Sequence, residues 1–131
     1  MNIALSTRTG GTVPEVAARV RAALADQGFG VLTEIDMAAT LKNKIGVDLE
    51  DYLILGACNP PAAHRAVTAD KQIGLLLPCN VVVRRDPDDA GAVLVEAMNP
   101  QIMVAVVPDN PALAAVADEV TGKLQAVINA L

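Results

Sequence analysis

Both cysteines and the only histidine of the chain lie within two short segments. Cys58 stands directly before Asn59 and Pro60, His64 follows shortly after, and Cys79 comes directly after Pro78. Each cysteine lies where an apolar run meets a turn, so a rigid element can present its thiol at a surface or a cleft. Two thiols could act as a nucleophile or a redox pair. Together with the imidazole they could form three ligands of a zinc or iron site.

The spacing of these residues favours neither catalysis nor metal binding. The chain has no C-x-x-C pair and no short-spaced pair of metal ligands, and one histidine is a poor basis for a Ser/His/Asp triad. Free cysteines are among the most buried residues, which favours core positions for both thiols. We therefore predict no catalytic residue, no metal and no cofactor. A thiol-dependent redox or metal-binding role for Cys58 and Cys79 is the alternative, with Cys58 the more reactive thiol because it precedes a predicted helix start.

Charged residues near the first two predicted strands offer weaker candidates. Glu34 and Asp36 could form a carboxylate pair on one strand face and, with Lys42 or Lys44, perform acid–base chemistry. Ordinary solvated charges are the favoured interpretation. The loop over residues 8–12 could hold an anion at a helix N-terminus, but it fits neither G-x-G-x-x-G nor a Walker sequence, and an ordinary turn is favoured.

The composition excludes several classes of function. The chain has 131 residues, 53% of them hydrophobic and 19% charged, as expected for one folded domain. Its net charge is −5, its basic residues are scattered, and Phe29 and Tyr52 are its only aromatic residues, so we predict no nucleic-acid binding. Its apolar runs are too short for a membrane span. The first residues lack the pattern of a signal peptide, so we expect a cytoplasmic protein with no membrane partner.

The apolar content is high for so small a domain. The mean hydropathy is +0.40, and a compact monomer of this size leaves much of its surface in water. Some of the apolar surplus is therefore expected in a subunit interface, and a homodimer is the commonest such assembly.

Pro, Gly and capping residues mark the ends of the predicted strands and helices. The predicted order of these elements along the chain is β-α-β-(α)-β-α-β-β-(α)-α. Thr12 and Glu15 form a capping box, and the Asn-Pro pairs at 59, 99 and 110 predict three helix starts. The predicted strands cover residues 2–6, 31–36, 52–58, 81–85 and 92–97. The predicted helices run from 12 to 27, 37 to 45, 59 to 70, 99 to 105 and 110 to the end, although the apolar content of the segment ending at 105 would equally suit a strand. The fold class is a single α+β domain over residues 1–131, a two-layer sandwich with a mixed or antiparallel sheet of about five strands.

A family resemblance covers nearly the whole chain. The segments that carry it are 28–36, 40–42, Ile54-Leu55-Gly56-Ala57-Cys58-Asn59-Pro60 and Gly74-Leu75-Leu76-Leu77-Pro78-Cys79-Asn80-Val81. Together they resemble the prokaryotic family catalogued as domain of unknown function 302. The resemblance implies a small α+β domain that forms homodimers, and it implies no established reaction, cofactor or ligand.

The favoured function is non-catalytic binding of a small ligand or a partner segment, because no catalytic constellation is complete. The cleft is expected near the two cysteine segments. The candidate ligand-binding residues are Cys58, Asn59, Pro60, His64, Pro78, Cys79 and Glu34.

Overall fold

A computed structural model describes residues 1–131 and contains five strands and five α-helices. None of the helices combines the length and the apolar character that a membrane span requires. The strands are β1 (Ala4–Gly10), β2 (Gly30–Asp36), β3 (Tyr52–Cys58), β4 (Cys79–Asp86) and β5 (Asp89–Met98). The helices are α1 (Val13–Asp26), α2 (Met37–Ile45), α3 (Pro60–Ala69), α4 (Gln101–Val106) and α5 (Pro111–Asn129), with a 3-10 helix over Lys71–Leu76.

The strands form one open sheet in the order β1-β5-β4-β3-β2. Every neighbouring pair is antiparallel, so of the two predicted sheet types the antiparallel one is found. The predicted α+β architecture is confirmed. β1 and β2 lie at opposite edges, and α1 connects them across the sheet.

The core lies between the sheet and the helices on one of its faces. α1 and α5 contact the sheet, and α3 packs on α5. Apolar residues recur at helical spacing along the buried side of α5. Its buried residues are Leu113, Val116, Ala117, Val120, Leu124, Val127 and Ile128.

The three Asn-Pro pairs start helices by two different routes. Asn59 Oδ1 accepts from the Ala62 N–H at 3.2 Å, and Asn110 Oδ1 accepts from the Leu113 N–H at 3.0 Å, so both residues are the predicted N-caps. Asn99 instead accepts from the Gln101 N–H at 3.0 Å, and α4 begins only at Gln101. The prediction that Asn99 is an N-cap is therefore wrong by one residue, because its side chain closes a tight turn before the helix.

Each of these asparagines also bonds to a distant part of the chain through its Nδ2 group. Asn59 donates to the Gln27 carbonyl at the end of α1 (3.3 Å), and Asn99 donates to the Asn2 carbonyl before β1 (2.9 Å). Asn110 donates to the Ala69 carbonyl at the end of α3 (3.1 Å). We call these three residues the asparagine clamps. Each one starts a segment and ties that start to another element.

β2 contains an irregularity that the sequence pattern did not predict. Val31 pairs with Ala57 and Thr33 pairs with Gly56, so Leu32 has no partner of its own. Such a bulge reverses the facing of the residues beyond it. Val31 and Thr33 therefore lie on opposite faces of the sheet, contrary to strict alternation.

Candidate functional site

An apolar cavity of about 270 Å³ lies where β3 ends and β4 begins, under α3 and α5. β3 and β4 are paired, with Ala57 opposite Cys79, so the two cysteine segments meet at one end of the sheet. Twelve of the fourteen lining residues are hydrophobic. The fourteen lining residues are Phe29, Leu32, Ala57, Cys58, Asn59, Ala62, Ala63, Ala66, Leu77, Pro78, Cys79, Met103, Val116 and Val120.

The two thiols of the cavity differ in exposure. Cys58 is half-buried, whereas Cys79 is 5% exposed, and both are free. Burial raises the pKa of the Cys79 thiol from 9.0 to about 11, and the neighbouring Cys58 adds to the rise. Cys79 is therefore a neutral thiol at physiological pH.

Asn59 is the buried polar group of the cavity wall, at 9% exposure. Its side chain holds the start of α3 to the end of α1 through the Ala62 and Gln27 bonds. Asn59 also lines a second depression that has no hydrophobic lining residue. There Arg65 is paired with Glu119, and Asp26 and Lys123 lie nearby. The Asn59 amide thus stands between an apolar compartment and a polar one.

Three predicted site residues lie outside the cavity. Pro60 and His64 are exposed on α3, and no group of three His, Cys, Asp or Glu side chains could hold a metal ion. Glu34 lines a separate depression with Asp36 and pairs with Arg21 on α1 at 2.9 Å. Lys42, considered as a partner of Glu34, pairs with Asp48 instead.

The chain matches a known protein family. The family described as "Domain of unknown function DUF302" matches residues 5–131. The chain belongs to the DUF302 family. A crystal structure of an uncharacterized conserved DUF302 protein from Bacillus stearothermophilus is also similar, with a TM-score of 0.89 and 27% sequence identity. That likeness covers 99% of this chain and 98% of the other. Among curated proteins, none matches.

The apolar side chains that complete the cavity of this DUF302 protein were missed in the sequence. Phe29 and Leu32 lie in and before the bulged part of β2, and Met103 lies on α4. Helical spacing could have identified Ala62 and Ala66, which lie one turn apart on the buried side of α3. The spacing shows that the two residues share a face, but not that the space in front of them is left empty.

We expect the two thiols of the DUF302 chain to react at very different rates. At pH 8, Cys58 should be alkylated by iodoacetamide in the native protein, while Cys79 should be modified only after unfolding, because it is buried and burial raises its pKa to about 11. Peptide mass mapping after timed quenching measures both rates. The Cys58→Ser variant should show almost no native modification. Equal rates for the two residues in the wild type would contradict the prediction.

Proposed function

We propose that this DUF302 protein is a non-catalytic binding domain that holds a small apolar molecule in the cavity at the end of β3 and β4. The observation that carries the proposal is a largely hydrophobic cavity of about 270 Å³ with few polar groups. Ligand sites of small-molecule binding proteins have this composition. The proposal places the protein in the cytoplasm, where two free cysteines stay reduced.

The lining restricts the chemistry of the ligand. An empty apolar cavity of roughly 150 Å³ holds a benzene ring, so the present cavity has room for a somewhat larger apolar molecule. No charged side chain lines it, and burying an unpaired charge there would be costly. The Asn59 amide is already engaged by Gln27 and Ala62. We therefore propose an uncharged ligand that is held mainly by its apolar surface.

Filling the cavity should prevent binding without unfolding the protein. Ala66 is 2% exposed and lines the cavity, so Ala66→Leu places a larger side chain in empty space. We expect naphthalene, used as the probe, to raise the melting temperature of the wild type, because a ligand that binds only the native state stabilises it. The shift should be absent in Ala66→Leu. Differential scanning calorimetry with and without the probe measures it.

The control makes the same alanine-to-leucine substitution at a position outside the cavity. Ala115 is exposed on α5 and does not line the cavity, so Ala115→Leu should bind the probe like the wild type. Native mass spectrometry of freshly purified wild type should also show a retained mass that Ala66→Leu lacks. A probe-induced shift of equal size in wild type and Ala66→Leu would overturn the proposal.

A thiol-dependent function is the second candidate, and one observation favours it. Cys58 and Cys79 line the same cavity, and Cys58 is close enough to contribute to the raised pKa of Cys79. In a redox reaction the two thiols would lose two hydrogens to form a disulfide while hydrogen peroxide is reduced to water. The high pKa of Cys79 disfavours its thiolate, so Cys58 would be the attacking sulfur. A mass loss of two hydrogens after peroxide treatment, absent in Cys79→Ser, would support this candidate.

A further inference from the structure

One thiol of the apolar cavity is accessible, and the space beside it is empty. Cys58 is half-buried and lines the cavity at the end of β3. Its cross-strand partner on β2 is Gly30, where an added Cβ would meet nothing within 4 Å. Leu32, which lines the same cavity, is 66% exposed. The cavity therefore reaches the surface beside the bulge of β2, and a molecule that fills it lies against Cys58.

The second thiol of the cavity has no hydrogen-bond partner within the protein. Cys79 is 5% exposed and lines the cavity, and the side-chain hydrogen bonds of the cavity wall are those of Asn59 alone. Burial raises the pKa of Cys79 to about 11, and the neighbouring Cys58 contributes to the rise. Cys79 therefore presents an unpaired S–H group, a weak hydrogen-bond donor, to a molecule in the cavity.

The lining restricts the reaction that a bound molecule can undergo with Cys58. A cysteine sulfur is a nucleophile that attacks carbon electrophiles. Displacement of a leaving group would release an anion, and no charged side chain lines the cavity to receive one. Addition to a carbon–carbon double bond that is conjugated to a carbonyl releases nothing and gives a neutral product. The buried carbonyl oxygen needs a hydrogen-bond donor, and the Cys79 thiol can supply one.

We propose that the cavity binds uncharged, apolar α,β-unsaturated ketones and joins them covalently to Cys58, an inference that rests on the proposed binding function. The Cys58 sulfur bonds to the β-carbon of the ketone, and the carbon–carbon π bond is lost. The S–H bond of Cys58 breaks, and its hydrogen is replaced on sulfur by carbon while a hydrogen is gained at the α-carbon. No atom leaves, and no oxidant or reductant is consumed. Cys79 donates its S–H group to the carbonyl oxygen.

Benzylideneacetone and its saturated analogue benzylacetone test the addition on the intact chain. We expect intact-mass spectrometry to show one whole benzylideneacetone added per chain, and peptide mapping to place it on Cys58. The rate should saturate with probe concentration, because binding in the cavity precedes the bond. Benzylacetone binds but has no double bond to attack, so it should slow the reaction competitively. Acrylamide, a small polar acceptor, should react at a rate that rises linearly with its concentration.

Variants separate the contribution of the cavity from that of the thiols. Ala66→Leu should lower the rate with benzylideneacetone at least about 10-fold, because it removes the bound state, while iodoacetamide still alkylates Cys58 at the wild-type rate. Ala115→Leu, outside the cavity, should react like the wild type. Cys79→Ala should slow the addition about 3-fold, as expected for the loss of one weak hydrogen bond. Cys79→Ser retains a donor and should restore the rate.

The outcomes distinguish this inference from the proposed binding function. If neither naphthalene nor benzylacetone raises the melting temperature of the wild type, the binding function fails and the addition fails with it. If benzylacetone raises the melting temperature but benzylideneacetone adds no mass to Cys58, only the covalent addition is overturned. A rate that is linear in benzylideneacetone or unaffected by benzylacetone would also overturn it, and both measurements apply even if Ala66→Leu does not fold. A wild-type rate in Cys79→Ala would overturn the role of Cys79.

Discussion

We expect Gly56→Ala to lower the free energy of unfolding by about 3 kcal/mol, at the upper end of the cost of overpacking. Gly56 is the cross-strand partner of Thr33, beside the bulge of β2. A Cβ atom at position 56 would overlap the Thr33 hydroxyl and lie 2.9 Å from Pro78 Cγ. Both β2 and the segment before β4 would have to move. Urea unfolding followed by far-UV circular dichroism measures the loss.

The chain offers two comparisons for Gly56→Ala. A Cβ at Gly122 would meet nothing within 4 Å, so Gly122→Ala within α5 should stabilise the protein by about 1 kcal/mol through helix propensity. Thr33→Ser removes the methyl group and leaves a hydroxyl that rotates freely, so the double variant with Gly56→Ala should recover part of the loss. If Gly56→Ala is as stable as the wild type, β2 and the Pro78 segment do not approach β3 as closely as the structure shows.

We expect Asn59→Ala to cost about 2–4 kcal/mol, more than the roughly 1 kcal/mol of an ordinary N-cap. The substitution removes the cap of α3 and also leaves the Gln27 carbonyl at the end of α1 without its Asn59 partner. Asn59 is 9% exposed, so the freed groups lie in a poorly hydrated environment. The Asn59→Ala substitution also removes part of the wall between the apolar cavity and the polar depression. Chemical unfolding measures the loss of stability. Native mass spectrometry measures whether the altered cavity still retains a bound molecule.

Asn59→Ser separates the two contributions. Serine can still accept from the Ala62 N–H, but its side chain is too short to reach the Gln27 carbonyl. We expect Asn59→Ser to recover about 1 kcal/mol of the Asn59→Ala loss. A loss for Asn59→Ala no larger than that of the exposed substitution Asp88→Ala would show that the clamp contributes nothing to stability.

The sequence predicted those parts of the fold that depend on local geometry. Thr12 caps α1 by accepting from the Glu15 N–H at 3.3 Å, and Gly46 ends α2 in the left-handed conformation. Both are decided by residues within a few positions of each other. The bulge at Leu32 is different, since it lies where Thr33 approaches Gly56 and Pro78, which belong to other segments of the chain. Spacing along one strand carries no information about such a contact.

The same distinction applies to the candidate site. Cys58, Asn59, Pro78 and Cys79 were identified by their motifs, and the antiparallel pairing of β3 and β4 brings them to one cavity. His64 could not be assigned in this way, because its side chain direction depends on which side of α3 faces α5. The buried side carries Ala62 and Ala66. The opposite, exposed side of the helix carries His64.

The pairing of β1 has a consequence for the order of events during synthesis. β1 lies at the sheet edge and bonds only to β5, with Ala4 opposite Met98. Ribosomes add roughly 5–20 residues per second, so the first strand leaves the ribosome several seconds before its partner exists. Until then β2, β3 and β4 can pair, while the nascent N-terminal strand keeps unsatisfied backbone groups that other chains can bind. β5, the last strand of the sheet to be synthesised, therefore satisfies the backbone groups of β1, the first.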